Sequence, residues 1–122
     1  MKRTHKQLDV WKEAVALATN VYKLTEKFPK AEIYGLTSQI RRSTVSVSSN
    51  IAEGAARFST REFAQFLNIA GGSLSELATQ IEIASNPGYI SDMQKQEIDR
   101  KIDSITIKLA GLINCVRKRA EK

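Results

Sequence analysis

The stretch SQIRRSTVSVSSNIAEG at residues 38–54 decides how this chain folds. Its centre alternates polar and apolar side chains as a β-strand does, yet a longer apolar pattern recurs at helical spacing. That pattern follows i, i+4, i+8, i+11, i+15 and i+19, and it comprises Leu36, Ile40, Thr44, Val47, Ile51 and Ala55. We therefore predict a helix over residues 36–56 rather than a strand.

The same predicted helix places a polar set of side chains on another face. At 100° per residue they span a sector of about 80°, and they are Gln39, Arg42, Ser46, Asn50, Glu53 and Arg57. Glu53 and Arg57 are four residues apart and can pair. Arg42 lies about 16 Å along the axis from Glu53, so its partner must lie outside this helix.

Two interpretations of this polar face stay open. In the first, a polar seam between helices or subunits is formed by Gln39, Arg42, Ser46, Asn50 and Glu53. In the second, the face binds an anion directly. We take the seam as the working hypothesis, which leaves anion binding to other basic residues.

Three further helices are predicted from apolar periodicity and from signals at their ends. Asp9 is the expected N-cap of the first, and Pro29 follows its end. Ser59 and Ser91 open the other two as capping boxes, because Glu62 and Gln94 follow three residues later. The predicted bounds are about 9–27, 60–86 and 92–119. Short loops between such helices predict an all-α, up-and-down antiparallel four-helix bundle within a single domain, residues 1–122.

The first helix is apolar over more of its circumference than one bundle requires. Its apolar residues cover an arc of about 200°, whereas a two-layer bundle needs little more than about 100°. We therefore expect a second buried contact on this helix, most simply with another copy of the chain.

Composition indicates a basic protein. The 122 residues include 19 Lys and Arg against 13 Asp and Glu, a formal net charge of +6. A basic balance favours anionic partners, most often nucleic acid, although solvated lysine faces are the alternative. The candidate nucleic-acid-binding residues are Lys12, Lys23, Lys27, Arg41, Arg57, Lys101, Lys108, Arg117 and Arg119.

Other features exclude several function classes. No run approaches the roughly 20 apolar residues of a membrane span, and no apolar segment follows the basic N-terminus as in a signal peptide. Cys115 is the single cysteine, so we expect no internal disulfide and a cytoplasmic protein. His5 is the single histidine, and Glu-x-x-His, Walker A and GxGxxG patterns are absent. We expect no enzyme, cofactor or metal site.

Several motifs match a known family. They are Leu8-Asp9-Val10-Trp11, Tyr22 with Phe28-Pro29, the run from Glu32 through Tyr34-Gly35-Leu36 and Gln39 to Arg41-Arg42, Ser46 with Asn50-Ile51-Ala52-Glu53-Gly54, and Gly72-Ser73 with Glu76-Leu77. The chain resembles, over nearly its whole length, the four-helix-bundle family named for the 23S rRNA intervening-sequence proteins.

This resemblance implies a ring-like homopentamer. It also implies kinship with the accessory variability protein of diversity-generating retroelements, a basic barrel that works with a reverse transcriptase and nucleic acid. Two hypotheses follow. The chain is a non-catalytic oligomer that binds RNA or DNA through Lys and Arg with low sequence specificity, or it is an oligomeric scaffold that recruits a protein partner such as a reverse transcriptase.

Overall fold

The computed structural model describes residue 5 and residues 8–121, and over these residues it is all helical without strands. The helices are α1 (Asp9–Thr25), α2 (Leu36–Ala55), α3 (Thr60–Ser85) and α4 (Asp92–Ala120), with a 3₁₀ turn at Lys30–Glu32. The predicted helix across residues 38–54 is confirmed. The observed helix ends lie within two residues of the predicted ones.

Each helix packs against two neighbours in the order α1, α2, α3, α4 and back to α1. In the diagonal pairs, α1 with α3 and α2 with α4, no two Cα atoms of the described residues lie within 8 Å. This is the predicted up-and-down bundle. Every helix contributes to one core, whose fully buried side chains include Leu17, Ile40, Leu67, Leu74 and Ile105.

The helix starts agree only partly with the predicted caps. The prediction of Asp9 as N-cap of α1 is wrong, because Leu8 holds the extended backbone of the cap position and packs its side chain against the core. At α4 the capping box of Ser91 and Gln94 is confirmed. At α3 the Ser59 hydroxyl accepts from the Glu62 amide at 3.3 Å, which is half of the predicted box.

A close approach of backbone to side chain joins α2 to α3. A Cβ atom placed on Gly54 would lie 2.8 Å from Phe66 Cβ and 3.0 Å from Phe63 Cδ1. Any larger residue would therefore force α2 away from α3. Gly54 thus allows α2 to pack closely on α3, next to the turn at residues 56–59 that connects the two helices.

The topology gives the bundle two different ends. The terminal end contains the α2–α3 turn together with the start of α1 and the end of α4. The distal end contains the α1–α2 and α3–α4 connections, where Tyr89 donates a hydrogen bond from its hydroxyl to Glu32 Oε2 at 3.1 Å. None of the four helices, as far as they are described, combines the length and the hydropathy needed to cross a bilayer.

Candidate nucleic-acid interface

Among the described residues, the net positive charge lies in one half of the bundle. The terminal half, residues 8–16, 46–72 and 107–121, contains seven Lys and Arg and five Asp and Glu. The distal half, residues 17–45 and 73–106, contains eight of each. The other four basic residues lie in the sequence segments that adjoin the terminal half, and they are Lys2, Arg3, Lys6 and Lys122. Residues 8–121 thus have a net charge of +2 (seven minus five in the terminal half, eight minus eight in the distal half), and this excess lies in the terminal half.

A shallow groove between α3 and α4 lies in the terminal half. Arg61, Gln65 and Asn68 recur at i, i+4 and i+7 and so share one face of α3. Arg117 and Glu121 of the α4 end line the same groove. Neither Arg61 nor Arg117 forms an ion pair within residues 8–121. The groove thus presents two guanidinium groups, two amides and one carboxylate to solvent.

Further exposed cations lie at the same end. Lys12, Lys118 and Arg119 have no acidic partner in the described part of the chain. The basic residues of the last turn of α4 also interact favourably with the negative end of the helix dipole. They can therefore stabilise α4 and contact an external anion at the same time.

Four of the candidate basic residues already have partners. Arg57 pairs with Glu53 at 2.6 Å and lies over the ring of Phe66, 4.9 Å from its centroid. Lys101 pairs with Glu97 at 3.2 Å. The other two are Lys108 and Arg41, and each joins α1 to a neighbouring helix.

Lys108 of α4 reaches across to Glu13 of α1, and Ser104 donates to the same carboxylate at 3.0 Å. The Lys108 hydrogen bond holds the pKa of Glu13 below its ordinary value, partial burial opposes that shift, and the Ser104 bond adds to it. Glu13 thus neutralises much of the cationic character that Lys108 contributes to the surface.

Arg41 joins α2 to α1. Its Nε donates to Thr25 Oγ1 at 2.9 Å, and its Nη2 donates to the Tyr22 carbonyl at 3.4 Å. Lys23 and Lys27, by contrast, are exposed and unpaired among the described residues, but they share their groove with Glu26 and Glu97. These three candidates lie in the half of the bundle whose charges balance.

The predicted polar seam residues divide into a packed group and an exposed group. Ser46 Oγ lies 2.8 Å from Ser73 Oγ of α3, and Asn50 Nδ2 donates to the Ser46 carbonyl at 2.8 Å. Ser43, which sequence reasoning missed, donates to Glu76 at 2.7 Å. Its position three residues before Ser46 was the available signal, because that spacing keeps both serines on the α3 side of α2.

Gln39, Arg42 and Glu53 are exposed. Glu53 has its partner in Arg57, whereas Arg42 makes no hydrogen bond or ion pair with any described residue. Arg42 and Gln39 line a second shallow groove together with Glu76, Thr79 and Gln80. A structural role for Arg42 in a seam therefore stays a prediction that depends on a second molecule.

Sequence reasoning also missed Arg61, Gln65, Asn68 and Lys118. Arg61 and Arg117 are 56 positions apart in sequence, and they become neighbours only because α3 begins where α4 ends. Their positions in the sequence were the available signal. Arg61 is in the first turn of α3 and Arg117 is in the last turn of α4, and these two ends are adjacent in an antiparallel pair. Among the described residues, no cluster of three or more His, Cys, Asp or Glu is arranged to hold a metal ion.

The fold and this surface define a class: a four-helix bundle with an unevenly charged, cationic end. A family model described as 23S rRNA-intervening sequence protein matches residues 6–111, and the chain belongs to that family. This confirms the resemblance drawn from the motifs. Among curated proteins, no relative matches.

A solved structure is similar over most of the chain. It is the crystal structure of a protein of unknown function from Bacteroides thetaiotaomicron, described as belonging to the S23 ribosomal protein family. The two share 25% sequence identity and a TM-score of 0.77, over 85% of this chain and 97% of that one. The similarity supports the bundle architecture.

Proposed function

We propose that this protein is a non-catalytic, oligomeric RNA-binding protein that contacts the phosphate backbone through its terminal half. One observation supports the proposal above others: the net positive charge lies in the terminal half and the chain ends that adjoin it in sequence, and Arg61 and Arg117 there have no acidic partner among the described residues. The description of the family refers to 23S rRNA, which favours RNA as the ligand.

The side chains of the groove can donate to phosphate oxygens, and phosphate binding is the role that we assign to them. A guanidinium group can donate two parallel hydrogen bonds to a phosphate, and the amides of Gln65 and Asn68 can donate one each to phosphate or sugar oxygens. Contacts to phosphates position a protein on the nucleic acid without reading its sequence. We therefore expect low sequence specificity and competition by DNA of the same length.

Titration of a labelled RNA oligonucleotide tests this surface. The double variant Arg61→Gln with Arg117→Gln removes two cations without changing side-chain length greatly, and we expect about tenfold weaker binding or more. Arg100→Gln is the matched control, because Arg100 is also exposed on α4 but lies in the charge-balanced half. Equal loss of affinity in both variants, or no RNA binding by the wild type at low salt, would contradict the proposal.

Self-association is the second part of the proposal. Val15 and Tyr22 of α1 and Val45 of α2 are 38%, 41% and 41% exposed, and Tyr22, Val45 and Ile33 line one groove. These residues leave part of the wide apolar arc of α1 in contact with solvent. This exposed apolar surface supports self-association, and the family resemblance implies a homopentamer.

Light scattering tests the assembly directly. A pentamer has five times the 13.6 kDa mass of the chain, and a monomer in solution would contradict this part of the proposal. An oligomer that binds no RNA at low salt would favour the adaptor hypothesis. In that case the ring recruits a protein partner, such as a reverse transcriptase, instead of nucleic acid.

A further inference from the structure

Phe58, in the turn between α2 and α3, has no part in the core. Its relative exposure is 104%, so none of the described residues covers its ring. Phenylalanine is among the residues most often buried. A ring this exposed gains nothing for the fold, and it is available for contact with a ligand.

The cations around Phe58 are of two kinds. Arg57 is held by Glu53 and by the ring of Phe66. Arg61, three residues after Phe58, has no ion-pair partner among the described residues and lines the α3–α4 groove with Arg117. The Cα atoms of Phe58 and Arg61 are at most about 11 Å apart, because three residues of fully extended chain span no more. A free aromatic ring and a free guanidinium group therefore lie at the same tip of the bundle.

We propose that Phe58 stacks on an unpaired base, so that the terminal end takes single-stranded rather than duplex RNA. This inference rests on the proposed function and names its substrate class. Proteins that bind single strands combine a cationic track with aromatic rings on which bases stack. In duplex RNA both faces of each internal base are already stacked, so an exposed ring has no base to meet. Arg61 and Arg117 then neutralise the phosphates next to the stacked base.

The chain offers a matched control for the ring. Tyr34, in the α1–α2 connection, is 96% exposed and is also aromatic. It lies at the distal end, in the half of the molecule where positive and negative charges are equal in number. A non-specific effect of removing an exposed aromatic residue would therefore occur in Tyr34→Ala as well as in Phe58→Ala.

The experiment compares an unstructured oligouridine with a duplex of the same length at fixed low salt. We expect Phe58→Ala to weaken single-strand binding about fivefold to 150-fold, which corresponds to about 1–3 kcal/mol per stacked base. Phe58→Trp retains that affinity, Tyr34→Ala is unchanged, and duplex affinity does not respond to Phe58→Ala. Because Phe58 is fully exposed, these variants leave the fold intact.

The inference and the proposed function fail in different ways. Phe58→Ala could bind single-stranded RNA as tightly as the wild type, while Arg61→Gln with Arg117→Gln still weakens binding. That result would overturn base stacking by Phe58 but would leave phosphate binding by the two arginines in place. Equal loss in Phe58→Ala and Tyr34→Ala would also overturn it. No RNA binding by the wild type would overturn the proposed function itself.

Discussion

Arg41 of α2 donates from Nε to Thr25 Oγ1 of α1 at 2.9 Å, and its guanidinium carbon lies 4.7 Å from the centroid of the Tyr22 ring. The next residue, Arg42, points to another side of α2 and has no partner among the described residues. Two adjacent arginines thus differ in role: Arg41 joins two helices of one chain, and Arg42 is available to a second molecule.

Alanine substitutions separate these roles. We expect Arg41→Ala to lower the free energy of unfolding by about 1–2 kcal/mol, because it removes a partly buried hydrogen bond from a charged donor to Thr25 and the contact with the Tyr22 ring. Arg42→Ala should change it by no more than about 0.5 kcal/mol, as is usual for an exposed side chain. Urea denaturation measures both. Equal destabilisation by the two variants would show that the assignment of Arg41 to the helix contact is wrong.

A charge reversal at Arg42 tests the polar seam. If Arg42 contacts another subunit, Arg42→Glu should lower the mass measured by light scattering. If Arg42 contacts RNA, the mass stays the same and RNA affinity falls. Unchanged mass and unchanged affinity would show that Arg42 has neither role.

Gly54 gives a second stability prediction. Gly54→Ala should lower the free energy of unfolding by about 1–3 kcal/mol, because its new methyl group overlaps with Phe66 and Phe63 of α3. Gly111→Ala is the matched control: it is also helical, but a Cβ there meets no atom within 4 Å. That variant should gain up to about 1 kcal/mol from helix propensity. Destabilisation by both variants in urea denaturation would contradict the close approach at Gly54.

Local periodicity explains why the fold was predictable. The apolar spacing from Leu36 to Ala55 predicted the α2 helix, although polar and apolar residues alternate at its centre. The short loops predicted the antiparallel topology. Contacts between distant segments were not predictable, since no local pattern brings Arg61 beside Arg117 or Gly54 beside Phe66. The role of Arg41 was missed for the same reason, because Thr25 meets it only across the packed α1–α2 pair.

Protonation of the Glu13 carboxyl should lower the free energy of unfolding as the pH falls. Its folded-state pKa is below the ordinary value of 4.5, chiefly because of the hydrogen bond from Lys108. Its contribution is therefore present above pH 4.5 and is lost as the pH falls through the folded pKa. We expect Glu13→Gln to lose less thermal stability than wild type between pH 6 and pH 3. An identical pH dependence in both proteins would contradict the assigned role.

The exposed apolar face of α1 and α2 gives a prediction about assembly. Val15→Asp with Val45→Asp places two charges on that face, and we expect a lower mass by light scattering because a buried unpaired charge is costly. Ile107→Asp is the matched control, since Ile107 is 73% exposed on the outer side of α4. A loss of mass in the control alone would place the interface on α4 instead.

The salt dependence of RNA binding tests the central claim most directly. If three or four cations of the terminal half contact phosphates, the logarithm of the association constant for single-stranded RNA should fall with the logarithm of salt concentration with a slope of about −2 to −3 per protomer site. Arg61→Gln with Arg117→Gln should make that slope shallower. A slope near zero, or no measurable RNA binding at low salt, would contradict the assignment of the terminal half as a phosphate-binding surface.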